Sequence, residues 1–112
     1  MKNEEEIDKI KKANEDLNQI KGIISRGYSD VSDSMEDDLH RMGKLLDSGC
    51  LDQKKTDFFL EQVMSTKKRI LECESLKMDE IRRVDGIISD NEESIKCLED
   101  DNEKENSSEK EK

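Results

Sequence analysis

The chain has 112 residues with a formal net charge of −10, and 45% of the residues are charged while only 30% are hydrophobic. This length allows one domain, but the apolar content is too low for a compact globular core of ordinary thickness. The acidic excess also argues against nucleic acid as a partner, because a phosphate backbone is held chiefly by clustered Lys and Arg.

The first predicted element is a long amphipathic helix over about residues 4–47. The chain contains no proline, and many of its apolar side chains recur every eleven residues. Eleven residues correspond to three helical turns, so such side chains stay on one face of the helix. Three series have this spacing: Leu17, Tyr28, Leu39 and Cys50; Ile20, Val31 and Met42; and Ile24, Met35 and Leu46. The stripe that they form must be covered by another helix.

A turn is predicted at residues 48–53. Gly49 can adopt the left-handed conformation that ends many helices. Asp52 or Thr56 can then cap the N-terminus of a second helix. A connection of only a few residues forces that second helix to lie antiparallel to the first.

The second predicted helix covers about residues 54–99. Its apolar residues again recur every eleven positions, as Phe59, Ile70 and Ile81 and as Cys73, Val84 and Ile95. The apolar residues stop after residue 98, so a solvated, disordered acidic tail is predicted for residues 101–112. The predicted fold class is therefore all-α, an antiparallel hairpin of two long helices over residues 1–100 followed by that tail.

The sequence lacks the residue patterns of an enzyme, a cofactor site or a metal site. His40 is the only histidine, and a two-helix rod offers no substrate pocket beside it. Cys50, Cys73 and Cys97 are too widely spaced to form the close pairs that bind zinc. Their odd number favours a reducing cytoplasm, and no apolar run resembles a signal peptide or a membrane span. We therefore expect a cytoplasmic, non-enzymatic protein without catalytic, cofactor-binding or metal-binding residues.

Several large apolar side chains fall outside the predicted hairpin stripes and can bind a protein partner by helix–helix packing. Burying each of them is worth about 1.5–3 kcal/mol. The adjacent Phe58 and Phe59 point about 100° apart on a helix, so one can enter the seam while the other faces outward; alternatively, both cap the end of the hairpin core. The candidate partner-binding residues are Phe58, Phe59, Leu60, Met64, Leu71, Met78 and Ile87.

The segment Leu46-Asp47-Ser48-Gly49 and the two phenylalanines that follow it carry a resemblance to a known family. Over residues 10–98 the chain resembles the WXG100-like proteins of bacterial type VII secretion, including the small proteins that accompany LXG toxins. It departs from that family in having no Trp-x-Gly and no C-terminal Tyr-x-x-x-Asp/Glu, since Tyr28 is the only tyrosine. The resemblance implies a hairpin that pairs with another hairpin as a targeting or chaperone subunit, with possible export by a dedicated secretion system.

Two other functions fit the same pattern. One is a homodimeric coiled-coil structural or adaptor protein, although orthodox coiled coils sustain heptads and this chain shows elevens. The other is a small acidic inhibitor of a basic partner, which would bind in a salt-sensitive manner. The sequence does not distinguish self-association from binding to a cognate protein.

Overall fold

The computed structural model describes the backbone of residues 3–111 and the side chains of residues 3–104. Over this range the chain forms two α-helices, α1 (Glu4–Asp47) and α2 (Gln53–Glu111), and no β-strand. The prediction of an all-α helical hairpin is confirmed. Within the described residues, neither helix has an apolar stretch long enough to span a membrane.

The turn between the helices uses residues that the sequence indicated. Gly49 adopts a left-handed conformation with a φ of 71°, which glycine does without the steric penalty of a Cβ atom. The Ser48 hydroxyl donates a hydrogen bond of 2.6 Å to the carbonyl of Leu45 at the end of α1. Of the two predicted caps for α2, Asp52 is the one used, because its carboxylate accepts a 2.9 Å hydrogen bond from the backbone N–H of Lys55.

Helix α2 ends later than the sequence predicts. The sequence analysis gives an end near residue 99 and a disordered tail over residues 101–112, but the backbone remains helical to Glu111. No proline or glycine follows Gly86, and glutamate and lysine, which dominate the last residues, are good helix formers. The loss of apolar residues removes packing but not the local preference for helix, so the predicted disordered tail is not confirmed. Residue 112 lies outside the described residues.

The two helices form two compact units, each of which contains a segment of α1 and a segment of α2. The first unit consists of Met1–Ile23 and Ile81–Lys112, and the second consists of Ile24–Glu80 and includes the turn. Each core is thin. Among the side chains that the structure describes, the buried apolar ones are Ile7 in the first unit and Cys73 in the second.

In the second unit, most of the buried and half-buried positions recur every seven residues on both helices. On α1 these positions are Ser25, Ser32, Leu39 and Leu46, together with Tyr28, Met35 and Met42. On α2 they are Thr56, Val63, Ile70 and Lys77, together with Phe59, Thr66, Cys73 and Glu80. Two interleaved series, three and four residues apart, correspond to the a and d positions of a coiled-coil heptad.

The first unit shows the same seven-residue spacing. On α1 the buried and half-buried positions are Ile7, Asn14 and Lys21, together with Ile10 and Leu17. On α2 they are Ile81, Ile88, Ile95 and Asn102, together with Val84, Asn91 and Leu98. The apolar contribution to this seam therefore comes mostly from isoleucine and leucine, interrupted by asparagine and lysine.

The covered positions recur every seven residues, not every eleven residues as predicted. An eleven-residue step leads from a d position to an a position and keeps a residue covered, but a second step leads from a to the outer e position. The predicted burial of Ile20 and Val31 is wrong, because both lie at g positions and are 43% and 53% exposed. Cys50 is also exposed. Heptad spacing is typical of a left-handed coiled coil. The eleven-residue spacing of apolar residues therefore does not count against a coiled coil in this protein.

Candidate partner-binding surface

Four of the seven candidate residues form one exposed stripe along α2 in the second unit. They are Leu60, Met64, Leu71 and Met78, and Met64 and Leu71 are 72% and 70% exposed. The last three are seven residues apart at the heptad position b, and Leu60 occupies the adjacent e position. At a rise of 1.5 Å per residue, this Leu–Met stripe is about 27 Å long.

The other three candidates lie elsewhere. Phe59 is half-buried at a d position, whereas Phe58 is exposed, so one ring faces the seam and the other faces outward. The two rings make an edge-to-face contact with centroids 5.3 Å apart. Phe58 precedes Leu60 by two residues and is therefore about 160° from it around the helix. Ile87 belongs to the first unit, so the seven predicted residues do not make one surface.

Charged residues occupy the e positions between the apolar members of the Leu–Met stripe. These are Lys67 and Glu74, and both are exposed. Glu74 Oε2 lies 3.7 Å from Lys77 Nζ, which is half-buried, whereas Glu74 is exposed. So long a contact with one partner in solvent contributes little to stability. Between residues 60 and 78 the chain carries four basic and three acidic residues. This segment is therefore close to neutral within a strongly acidic protein.

A polar cluster joins α1 to α2 inside the second unit. The Tyr28 hydroxyl donates a 2.9 Å hydrogen bond to Glu80 Oε1, and the Cys73 thiol donates to the Tyr28 carbonyl with an Sγ–O distance of 3.6 Å. The hydrogen bond to Glu80 raises the pKa of Tyr28 above its ordinary 10.0, with further contributions from desolvation and from the charges of Glu80 and Cys73. Ionised Tyr28 would lose its donor and face the carboxylate, so the cluster favours the neutral hydroxyl.

Two hydroxyl side chains of the second unit are more deeply buried than its leucines and methionines. Ser32 and Thr66 are buried at an a and a d position. Ser32 Oγ has no hydrogen-bond partner in the structure as described. A buried polar group without a partner costs about 1–3 kcal/mol, so this seam gains less from burial than an aliphatic seam would.

The seam of the first unit also contains polar pairs. Asn91 Nδ2 donates a 2.9 Å hydrogen bond to Asn14 Oδ1, and Lys21 Nζ lies 2.5 Å from Asp85 Oδ1. An open groove of about 580 Å³ in this unit is lined by Glu6, Ile10, Asp90, Glu93, Ser94, Cys97 and Leu98. No three acidic, histidine or cysteine side chains of the described residues are placed to hold a metal ion.

A second, apolar groove of about 300 Å³ lies on α1 in the second unit. Its lining is Ile24, Gly27, Tyr28 and Val31, at the i, i+3, i+4 and i+7 spacing of one helix face. The space above Gly27 is open, since a Cβ atom there would meet nothing within 4 Å. The eleven-residue spacing does not predict this surface, because it places Val31 in the covered stripe. The glycine within an apolar i, i+3, i+4, i+7 set is the signal that could have indicated it.

Compared with known proteins, the chain matches no family model, no curated protein and no solved structure.

Proposed function

We propose that this chain is a non-enzymatic interaction protein that completes a helical bundle by packing its Leu–Met stripe against a helix of another protein molecule. The exposure of Met64 and Leu71 carries this proposal. Each large apolar side chain transferred from water into a helix–helix contact contributes about 1.5–3 kcal/mol. Apolar side chains repeating along one helix face are also the usual basis of helix recognition.

The chemistry of the stripe suits a partner that is itself helical. Methionine has an unbranched, polarisable side chain that adapts to irregular surfaces, and Met64 and Met78 lie on either side of Leu71. The charged residues Lys67 and Glu74 accompany the stripe rather than forming one block of a single sign. A partner helix with apolar residues at heptad spacing and charges of both signs fits this surface.

The more specific part of the proposal is a secretion-associated role as the partner or chaperone of a cognate protein. It is supported by the resemblance to WXG100-like hairpins, which lies in the length of the hairpin and in the position of the turn at Gly49. In that family a hairpin pairs with another hairpin, as the Leu–Met stripe would allow here. This role places the protein in the cytoplasm until a dedicated system exports the complex.

The second candidate is a homodimeric coiled-coil structural or adaptor protein. The seven-residue spacing of covered positions favours it, since heptads are the pattern of coiled coils. The two candidates share the same surface and differ in whether the complex carries a cognate protein.

The test compares three aspartate variants in the second unit: Met64→Asp on the Leu–Met stripe, Leu76→Asp on an exposed position off the stripe, and Val63→Asp at an a position of the seam. Chemical cross-linking in the native cells, followed by mass spectrometry, measures complex formation. Circular dichroism measures helix content of the purified variants.

We expect Met64→Asp to remove the cross-linked complex while helix content stays near that of the wild type. Leu76→Asp should preserve both, because an exposed charge there costs little. Val63→Asp should lose helix content, since a carboxylate forced into the seam without a partner costs several kcal/mol. Retention of every complex by Met64→Asp would contradict the proposal, and a cross-linked complex with a secreted protein would favour the chaperone role over the structural one.

A further inference from the structure

We infer that the Leu–Met stripe binds a second copy of this chain, packed antiparallel along α2 about a twofold axis near Leu71. This inference rests on the proposed function and adds the identity and direction of the partner helix. A twofold contact uses the same patch on both molecules. With the axis at Leu71, Met64 of one copy lies at the level of Met78 of the other, and the two Leu71 side chains meet at the centre.

The charges that accompany the stripe determine the direction. In the antiparallel arrangement, Lys68 lies at the level of Glu74 of the second copy, and Lys67 lies within one residue of that level. The twofold axis creates this juxtaposition twice. In a parallel, in-register arrangement, Lys67 would instead face Lys67 and Glu74 would face Glu74. Opposite charges attract and like charges repel, so the antiparallel arrangement is favoured.

Net charge does not oppose self-association at this segment. The chain as a whole has a charge of −10, so two copies repel each other over most of their surface. Between residues 60 and 78, the basic residues Lys67, Lys68, Arg69 and Lys77 offset the acidic residues Glu61, Glu72 and Glu74. Two copies can approach through this segment without bringing together two acidic surfaces.

The size of the contact sets its strength. The apolar contact consists of Met64, Leu71 and Met78 from each copy, over about 21 Å. It makes a narrow interface, smaller than the roughly 1,200 Å² or more of a stable complex. We therefore expect a reversible dimer with a dissociation constant on the order of 1–100 µM, without rearrangement of the hairpin.

The first experiment is sedimentation equilibrium of the full chain over a range of concentrations. The wild type should show a monomer–dimer equilibrium, Leu71→Asp should be monomeric with unchanged helix content, and Leu76→Asp should dimerise like the wild type. Leu71 and Leu76 are both exposed leucines on α2, and Leu71 alone belongs to the stripe. A wild type that remains monomeric up to about 1 mM, or a Leu71→Asp variant that dimerises normally, would overturn the inference.

The second experiment tests the direction by exchanging charges. Lys67→Glu places an acidic side chain near Glu74 of the other copy at two symmetric points and should weaken the dimer about tenfold. The double variant Lys67→Glu with Glu74→Lys restores opposite charges at both points and should recover most of that loss. In a parallel dimer the single variant would only replace one like-charged pair by another, and the double variant would bring no recovery. Equal affinities of the single and double variants would therefore exclude the antiparallel arrangement.

The two experiments also separate this inference from the proposed function. A monomeric wild type whose cross-linked complex with a different protein is lost in Met64→Asp would overturn the dimer and leave the proposed function standing. A dimer that forms normally in both Leu71→Asp and Met64→Asp would overturn the dimer geometry and the role of the stripe together.

Discussion

Replacing Ile7 with alanine should destabilise the protein far more than the same replacement at Ile23. Both isoleucines lie on α1 in the first unit, but Ile7 is 7% exposed and Ile23 is 60% exposed. A buried isoleucine replaced by alanine typically costs about 2–5 kcal/mol. The seam at Ile7 belongs to a two-helix unit that can partly close over the missing atoms, and alanine has a higher helix propensity by about 0.4 kcal/mol. We therefore expect a loss of about 2 kcal/mol.

The matched change at Ile23 removes much less buried surface. Only about two-fifths of the Ile23 surface is shielded from water, so the lost burial is worth roughly 0.6–1.2 kcal/mol. The gain in helix propensity offsets part of this, and the net loss should stay below about 1 kcal/mol. Urea unfolding followed by circular dichroism, at one fixed protein concentration, measures both free energies of unfolding.

An Ile7→Ala variant that is no less stable than Ile23→Ala would refute the heptad assignment of the first unit. It would mean that α1 presents a different face to α2 in the first unit. Ile7, Asn14 and Lys21 would then not all lie on the covered face. A larger loss at Ile23 than at Ile7 would indicate that Ile23 is covered in solution.

Three further predictions concern the second unit. Tyr28 is the only tyrosine, so the near-ultraviolet absorbance of the native protein should titrate above pH 10, and Glu80→Ala should lower that midpoint towards 10.0. Because the native pKa of Tyr28 is raised, its contribution to stability should persist below the unfolded pKa and be lost as pH rises through the native pKa. A Glu80→Ala variant with the same titration midpoint as the wild type would exclude the hydrogen bond as the cause of the raised pKa. Ser32→Ala should raise the free energy of unfolding by about 1 kcal/mol in urea titrations, since it removes a buried hydroxyl without a partner, and a loss would show that the hydroxyl is bonded. Phe59→Ala should lower the thermal midpoint more than Phe58→Ala, and equal shifts would place both rings in the hairpin core.

Much of the fold could be predicted from residues with strong local preferences. Gly49 marks the turn because it accepts a left-handed backbone, and the short connection leaves only an antiparallel neighbour. The end of α2 could not be predicted in the same way. The apolar pattern stops after Leu98, but glutamate and lysine keep a helical backbone in the absence of proline or glycine.

The period of the covered stripe could not be predicted, because a seven-residue repeat and an eleven-residue repeat place many of the same residues in the stripe. Tyr28 and Leu39 are eleven residues apart and both half-buried, one at a d and one at an a position. The two patterns are separated by residues that the eleven-residue spacing places in the stripe and the heptad places at a g position, such as Val31. A sparse apolar sequence offers few such residues, and polar side chains at a and d positions hide the heptad further.

The candidate surface could be predicted in part. Excluding the covered stripes correctly left Leu60, Met64, Leu71 and Met78 as exposed residues, although their role in binding stays a prediction. Phe58 and Ile87 do not lie with these four residues. This could be recognised only once the heptad positions and the division into two units were known. Polar pairs such as Tyr28 with Glu80 join residues 52 positions apart, and such pairs become visible only when the register of the two helices is known.

The distribution of side chains in the second unit supports the proposal of an outer partner. Burial of apolar surface is the dominant stabilising term in folding and association, yet the deeply buried residues here include Ser32 and Thr66, while Met64 and Leu71 remain largely in water. Hydrogen bonds such as the one from Tyr28 to Glu80 favour one register of the hairpin, but burial of apolar surface remains the larger stabilising term. Because two helices can cover only one side of α2, a second helix laid along the Leu–Met stripe adds apolar burial that the hairpin cannot supply alone. In the proposed function, the seam specifies which helices pair within the chain, and the stripe would supply the free energy for association.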